Sequence, residues 1–217
     1  MLAQELWPGL KNSPTLTHSF LKLLSKKGLL LRNFSQNIDG LEFLAGLPAE
    51  ELVECHGHFR TASCIDCGKA GDATEVKNTI VIKGKTPICK HCGGNIKPDI
   101  VFFGESLPDR FHRLLKQDMV KADLLLVMGT SLQVAPVSMI PDMVHCNRVL
   151  FNRELVMNIR DGDLFVEGDC DTNVTRLCEL LGWKDELLAQ NEETVIRPQT
   201  DDKGDAAPEE KNETSTK

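Results

Sequence analysis

Cys64-Ile65-Asp66-Cys67 and Cys89-Lys90-His91-Cys92 carry most of the information about the fold of this 217-residue sequence. Each is a Cys-x-x-Cys pair, and 21 residues separate the two pairs. Four thiolates on two tight turns are the ligand set of a tetrahedral structural zinc site. Disulfides are the alternative, but they belong to oxidising compartments, and the sequence shows no secretory signal. We therefore predict a zinc-binding module.

Length and composition place the chain among globular proteins. Its residues are 41% hydrophobic, which suffices for one moderate core and a small metal-bound module. The longest apolar run, Ala122 to Met128, is much shorter than the roughly 18 residues that cross a bilayer. We therefore predict a soluble protein without a membrane partner, in which this run forms a buried strand.

Charge is unevenly distributed over the chain, whose formal net charge is −7. Residues 191–217 hold eight acidic and four basic side chains and no aromatic residue. So little apolar surface cannot offset the entropy of ordering, and we predict a disordered acidic tail over 189–217. Residues 58–97 hold seven basic and three acidic side chains, an excess that a four-thiolate zinc site would partly cancel. This predicts no nucleic-acid partner.

Helix and strand signals alternate along the rest of the chain. Ser13-Pro14 predicts the start of a helix that ends at Gly28, and Asp171 predicts the cap of another that ends at Gly182. Apolar runs predict strands at 29–34, 53–55, 122–128 and 149–151. Such an alternation indicates a parallel sheet covered on both faces.

Polar residues follow each of these predicted strands. They are Gln36-Asn37-Ile38-Asp39, His56, Gly129-Thr130-Ser131 and Asn152. In parallel sheets, ligands bind outside the carboxyl ends of the strands. The topology therefore predicts a pocket lined by these residues.

The same motifs occur together, in the same order, in sirtuins. They are Ser35-Gln36-Asn37-Ile38-Asp39-Gly40, His56-Gly57, the four cysteines, Lys97-Pro98-Asp99-Ile100-Val101-Phe102-Phe103-Gly104-Glu105, Gly129-Thr130-Ser131 and Asn152. Over about residues 2–188 the sequence resembles this family, and most of all the eukaryotic class with the cytosolic tubulin-deacetylating and mitochondrial members. The resemblance implies an NAD-dependent protein-lysine deacylase that releases nicotinamide and O-acetyl-ADP-ribose.

The implied fold is α/β, a Rossmann-like parallel sheet with a small zinc-binding domain inserted. The implied bounds are 1–57 and 98–188 for the two parts of the NAD-binding domain, 58–97 for the zinc ribbon and 189–217 for the tail. Sirtuins carry a Gly-Ala-Gly-x-Ser phosphate loop and an Asp-Phe-Arg segment before the point where this sequence begins, and neither is present here. We therefore expect an amino-terminally truncated sheet, weak NAD binding and low deacylase activity, in either a fragment or a truncated isoform.

The resemblance implies His56 as the general base, with Asn37 holding the ribose. In sirtuin chemistry the acyl oxygen of the substrate attacks the nicotinamide-bearing ribose carbon, and a ribose hydroxyl then attacks the resulting imidate. His56 would accept the hydroxyl proton. Taken by itself, a histidine at a strand end is more often structural. We exclude Cys55 as a nucleophile paired with His56, because adjacent strand residues point to opposite faces.

Contacts with NAD are implied at three places. Gln36, Asn37, Ile38 and Asp39 would bind nicotinamide and its ribose, although such a stretch can also be a turn held by its own side chains. Gly129-Thr130-Ser131 would offer backbone and hydroxyl donors to the dinucleotide. The adenosine end would be bound by Asn152, Arg153, Glu154 and Cys170, and Cys170 also fits a small buried residue without a ligand.

The substrate site implied by the resemblance is Val101–Glu105. This segment would pair as a strand with an extended peptide and line the tunnel for the acylated lysine. Apolar walls suit the neutral acylated side chain better than a charged one. The implied partners are proteins with acetylated lysines, in the cytoplasm or nucleus, with mitochondria left open; no oligomeric state is indicated.

Other functions remain compatible with the sequence. The chain could be a sirtuin-like zinc scaffold without turnover, or a mono-ADP-ribosyl transferase that uses the same pocket. A zinc ribbon that binds nucleic acid would show strongly salt-dependent affinity. Its weak charge and lack of interleaved aromatic residues argue against it.

Overall fold

The computed structural model describes Trp7 and residues 12–194. Three small sheets and the helices around them account for most of this part of the chain. The strands are β1 (Asn33–Ser35), β2 (Leu52–Glu54), β3 (Gly57–Cys64), β4 (Ala70–Gly71), β5 (Ile96–Ile100), β6 (Leu124–Met128), β7 (Asn147–Asn152) and β8 (Leu164–Glu167). The α-helices are α1 (Leu16–Lys26), α2 (Leu41–Leu44), α3 (Ala73–Lys77), α4 (Asp109–Asp118), α5 (Ile140–Met143), α6 (Cys170–Leu181) and α7 (Lys184–Thr194).

Two of the sheets are parallel, as predicted. β1 pairs with β2, and β6, β7 and β8 form a second sheet in which β7 is central. The α/β fold class is thereby confirmed. Within the described residues, however, the two groups of strands are separate sheets, because β1 pairs only with β2 and β6 only with β7.

The run Ala122 to Met128 is less buried than predicted. Its strand β6 begins at Leu124, whose side chain is 48% exposed, and only Val127 is buried. The physical reason is its position at the edge of the described sheet, where one long side of the strand has no neighbour in the sheet. The run before β1 is also mostly irregular, so that strand is shorter than the predicted 29–34.

The third sheet is antiparallel and carries the cysteines. β3 lies between β4 and β5, and α3 with a π-helix at Asn78–Ile82 follows it in the chain. Phe59, Ala62 and Val76 form a small core here together with Trp7. Gly57 begins β3 with a φ of +75°, and a Cβ there would lie 2.0 Å from the carbonyl oxygen of Asp99. Only glycine allows β3 and β5 to approach this closely. The bounds 1–57, 58–97 and 98–188 remain a prediction.

The helices pack on the parallel sheets through two larger apolar clusters. One surrounds Phe111 of α4 and includes Val53 and Cys55 from the end of β2. The other joins Phe20 of α1 to Val174 of α6, and it includes Leu187 of α7. None of the described helices is long and apolar enough to cross a membrane.

Two helix starts differ from their predictions. α1 begins at Leu16, with Thr15 as its N-cap rather than Ser13-Pro14. Asp171 does not cap α6; Asp169 does, and its carboxylate accepts from the backbone N–H of Asp171 at 3.0 Å. The Asp171 carboxylate instead reaches across to α1, where it accepts from the Thr15 hydroxyl at 2.9 Å and the Thr17 backbone N–H at 2.8 Å. Each helix therefore keeps a local cap, and Asp171 adds a long-range contact between the two helix starts.

The predicted tail begins too early. Residues 189–194 belong to α7, which ends at Thr194. Leu187 of this helix is fully buried, and the Asn191 amide donates to the Ser19 hydroxyl of α1 at 3.0 Å. This packing orders residues whose composition alone predicted disorder. The remainder of the predicted tail, 195–217, lies outside the described residues.

Candidate active site and metal centre

Polar side chains from separate strands meet at one edge of the parallel sheets. The Gln36 side chain, just after β1, donates to the Thr130 hydroxyl just after β6 at 3.0 Å. The Gln36 carbonyl oxygen lies 2.7 Å from Nδ1 of His56, just after β2. The first contact joins the ends of two separate sheets, and the second links the ends of the paired strands β1 and β2. The predicted gathering of Gln36, His56 and Thr130 is therefore present.

The contact at Nδ1 determines the tautomer of His56. A carbonyl oxygen can only accept, so Nδ1 must donate its proton to Gln36. Neutral His56 then has its lone pair on Nε2, which is buried and has no hydrogen-bond partner within the described residues. An oriented imidazole with an unoccupied acceptor atom is suited to take a proton from a bound hydroxyl.

Cys55 stands apart from this chemistry. Its side chain is completely buried and lies in the apolar cluster around Phe111. Burial raises the pKa of the Cys55 thiol to about 12, so the thiolate needed for nucleophilic attack is not formed near neutral pH. This agrees with its exclusion on strand geometry.

The loop between β1 and α2 uses its predicted site residues in different ways. The Asp39 carboxylate accepts from the backbone N–H of Leu41 at 3.1 Å, which is the self-stabilised turn considered above. Ile38 packs against the small core around Phe59. Asn37 is exposed, and its backbone N–H is held by the Ser35 hydroxyl at 3.2 Å. The turn thus presents Asn37 to solvent while anchoring its neighbours.

The ends of β6 and β7 are connected through Asn152. Its side-chain amide donates to the carbonyl oxygens of Thr130 at 3.1 Å and Glu154 at 2.9 Å. Gly129 has a φ of +58°, and a Cβ there would lie 3.3 Å from the Cys170 sulfur. Gly129, Thr130, Asn152, Glu154 and Cys170 are thus assembled at one place. Ser131 is exposed beside them.

Arg153 and Cys170 both make contacts at the start of α6. Arg153 donates to the Asp169 carboxylate at 3.1 Å, and this hydrogen bond lowers the pKa of Asp169. The Cys170 thiol donates to the carbonyl oxygen of Phe151 at 3.3 Å. Asp169, a partner of the predicted residue Arg153, was missed by the sequence analysis. Its Gly-Asp-Cys-Asp setting resembles an ordinary helix cap.

The predicted peptide-binding segment begins beside His56. The Val101 backbone N–H donates to the His56 carbonyl oxygen at 2.8 Å. The next two side chains are turned to solvent, with Phe102 52% and Phe103 99% exposed. Two exposed phenylalanines in a segment bonded to the His56 backbone form an apolar surface that could contact a ligand.

Arg60 is a further residue that the sequence analysis missed. It donates to the Glu54 carboxylate at 2.7 Å, and its guanidinium lies 4.4 Å from the centre of the Phe43 ring. Arg60 belongs to β3, whereas Glu54 and Phe43 belong to β2 and α2. It therefore braces the cysteine-bearing sheet against two elements that precede His56, β2 and α2. No local sequence pattern predicts these contacts of Arg60, because they join different elements of the fold.

The four cysteines converge as the spacing predicts. Their sulfur atoms all lie within 4.8 Å of one another, with 3.5 Å between Cys64 and Cys92 and 3.8 Å between Cys67 and Cys89. A zinc–sulfur distance of roughly 2.3 Å gives a tetrahedron whose edges are about 3.8 Å. The backbone N–H groups of Cys92 and His91 lower the pKa of the Cys89 thiol to about 6, whereas, against the effect of the Gly94 backbone N–H, hydrogen bonds with Cys67 and Cys64 raise the pKa of Cys92 to about 12. The donor set fits one zinc ion.

Comparisons with known proteins agree with this geometry. A model of the Sir2 family matches residues 1–136. The NAD-dependent deacetylase sir2D of Dictyostelium discoideum is 49% identical over 186 residues, which are 83% of this chain and 34% of that protein. The NAD-dependent protein deacetylase hst2 of Schizosaccharomyces pombe is 46% identical over 86% of this chain and 57% of its own length. Mouse NAD-dependent protein deacetylase sirtuin-3 is 47% identical over 87% and 57%, respectively. The chain thus spans between a third and three fifths of these relatives.

Proposed function

Because the chain belongs to the Sir2 family, we propose that it forms the acyl-lysine and nicotinamide-ribose part of an NAD-dependent protein-lysine deacetylase. The observation that carries the proposal is the orientation of His56. Its Nδ1 is tied to the Gln36 carbonyl at 2.7 Å, and its Nε2 is left to accept a proton. The three relatives described above are all named as NAD-dependent deacetylases.

NAD would be bound as a co-substrate along the carboxyl ends of the strands. Gln36, Asn37, Ile38 and Asp39 would face nicotinamide and its ribose. The dinucleotide would continue past Gly129, Thr130 and Ser131 to an adenosine site made by Asn152, Arg153, Glu154 and Cys170. The hydrogen bonds among these groups support one continuous surface, because Asn152 links the Thr130 and Glu154 carbonyls.

An acetylated lysine would enter beside the Val101–Glu105 segment. Its neutral acyl group can lie on apolar walls such as Phe102, where an ammonium group would be desolvated at high cost. NAD would supply the ribose carbon that receives the acyl oxygen, and nicotinamide would leave with the electron pair of the broken bond. His56 would then accept the proton of the ribose hydroxyl that attacks the imidate carbon. Addition of water would break the carbon–nitrogen bond, so that the free lysine amine and O-acetyl-ADP-ribose are released.

Zinc would serve the structure rather than the reaction. Cys64, Cys67, Cys89 and Cys92 would complete its coordination shell, so no position remains open for a substrate or water molecule. The ion would tie the turn after β3 to the turn before β5. Arg60, which donates to Glu54 at the end of β2, would link the zinc-bound sheet to the strand that precedes His56.

The proposal is tested by replacing His56 in a chimera in which the glycine-loop segment of a Sir2 relative precedes Met1. His56→Ala should lower NAD-dependent deacetylation of an acetyl-lysine peptide by about 100-fold or more, the usual loss for a general base. His145→Ala is the matched control, since His145 is exposed and lies outside the site. Zinc content and thermal midpoint should stay unchanged in both variants. Near-normal turnover by His56→Ala would remove His56 from the mechanism.

A further inference from the structure

The segment Val101–Glu105 is folded back on β5 by a cluster of polar contacts, which we name the Lys97–Glu105 clasp. Lys97 donates to the carbonyl oxygen of Ile100 at 2.7 Å and to Oε2 of Glu105 at 3.1 Å. The same Oε2 accepts from the backbone N–H of Phe102 at 2.9 Å. The clasp therefore joins the last strand residue, the middle of the segment and its end.

The backbone of the segment turns tightly inside this clasp. The Glu105 backbone N–H donates to the Phe102 carbonyl oxygen at 3.0 Å, and Gly104 has a φ of +91°. A residue with a side chain would be strained at that φ. The Lys97 ammonium also lies 4.8 Å from the centre of the Phe102 ring, a distance that allows a cation–π attraction. Both the backbone and one of the two phenylalanines are thus placed by Lys97 and Glu105.

The clasp explains how an apolar loop stays open to solvent. Phe103 is 99% exposed and Phe102 is 52% exposed, and an unrestrained loop would bury such side chains by collapsing. The Phe102 N–H lowers the pKa of the Glu105 carboxyl, and the Lys97 ammonium acts in the same direction. Glu105 is therefore ionised near neutral pH, and charge-assisted hydrogen bonds of this kind are stronger than neutral ones.

We propose that Lys97 and Glu105 are positioning residues, which hold Val101–Gly104 in the turn that keeps Phe102 and Phe103 open to an acetylated peptide. This inference rests on the proposed function, because the ligand is the substrate named there. It reassigns Glu105 from a peptide contact to a group that acts through the Phe102 N–H. Oε2 of Glu105 already accepts two hydrogen bonds inside the chain.

The variants separate the two contacts of Glu105. Glu105→Ala removes both the N–H acceptor and the charge, whereas Glu105→Gln keeps an oxygen that can accept from Phe102. Lys97→Met removes the ion pair and leaves the Glu105–Phe102 hydrogen bond. Glu179→Ala is the matched control, because Glu179 pairs with Lys184 at 2.5 Å on the surface of the distant helix α6 and both side chains are 47% exposed.

Two measurements on the chain itself test the proposal. The first is the affinity for a fluorescent acetyl-lysine peptide, followed by polarisation. Glu105→Ala should weaken binding by about tenfold, and Glu105→Gln and Lys97→Met by about threefold, as partial loss of charge-assisted contacts allows. Glu179→Ala should bind as the wild type does. The second is the Phe102 amide proton shift in a nitrogen-15 spectrum, which should move upfield in Glu105→Ala and much less in Glu105→Gln.

The outcomes distinguish this inference from the proposed function. A weakened peptide affinity together with a shifted Phe102 amide supports the clasp, even if no variant and no wild-type chain deacetylates the peptide. A shifted amide with unchanged affinity shows that the clasp does not position the segment for binding and overturns the inference. An unmoved amide in Glu105→Ala, or a wild-type chain that binds no acetylated peptide, overturns it as well.

Discussion

Arg148 is completely buried, although it carries a charge. Its guanidinium donates to the carbonyl oxygens of Pro141 at 2.7 Å and Asn158 at 2.6 Å and to the Asp163 carboxylate at 3.0 Å. Asp163 also accepts from the backbone N–H of Arg160 at 2.7 Å. A buried charge is tolerated only when it is paired and hydrogen-bonded in this way. The pair closes the loop from β7 to β8, whose first residues are the proposed adenosine contacts.

Asp163 should give stability a specific dependence on pH. The hydrogen bond from Arg148 holds the pKa of the Asp163 carboxyl well below its usual range. Because the folded state lowers this pKa, the contribution is complete above the unfolded value of about 4 and is lost as the pH falls towards the folded value. Asp163→Asn should therefore lower the urea midpoint at pH 7, and its difference from the wild type should shrink below about pH 4. Midpoints that differ by the same amount at every pH would refute this linkage.

At the scale of elements, β3 connects the proposed active site at His56 to the cysteine cluster. It begins at Gly57, next to the oriented His56, and it ends at Cys64, the first residue of the cysteine cluster. Its length lets one strand serve both the proposed active site and the metal centre. Arg60 stands in its middle and braces it against Glu54. Disorder at the cysteines should therefore reach the active site through β3.

Removal of the metal tests this connection. Cys64→Ser should abolish the binding of one zinc per chain and unfold the β3–β5 sheet, because structural zinc contributes on the order of 10 kcal/mol to small modules. Elemental analysis and hydrogen exchange over 57–100 measure the two effects. Cys146→Ser, which leaves the cluster intact, is the control. Purified wild-type protein that contains no zinc would contradict the structural role.

The N-caps of the helices are features that the local sequence alone does not predict correctly. Asp171 reads locally as the cap of the helix that follows it, yet its carboxylate binds Thr15 and Thr17 of α1, more than 150 positions away in the chain. Asp169 takes the local role instead. The 3.6-residue pattern identified α1 and α6 but not α4 or α7, and tertiary packing decides which carboxylate caps which helix. Gly28 and Gly182, whose positive φ angles are a local requirement, were placed correctly after the helices.

Across the whole molecule, the features predicted from sequence are those with a fixed local geometry. The cysteine spacing led directly to the sulfur cluster, and the polar residues at strand ends led to the contacts among Gln36, His56 and Thr130. The predictions that β6 is buried and that the tail starts at residue 189 were wrong, because both depend on which elements become neighbours. Arg60 and Lys97 were missed as functional residues for the same reason.

The central claim is tested most directly by the products formed from an acetyl-lysine peptide and NAD. Mass spectrometry is applied to reactions of the chain and of the chimera with the glycine loop. We expect nicotinamide, deacetylated peptide and O-acetyl-ADP-ribose in equal amounts from the chimera, and at least about 100-fold slower formation by the chain itself, whose sequence holds no phosphate loop at a helix amino terminus. Release of free acetate without consumption of NAD, or no products from the chimera, would contradict the account.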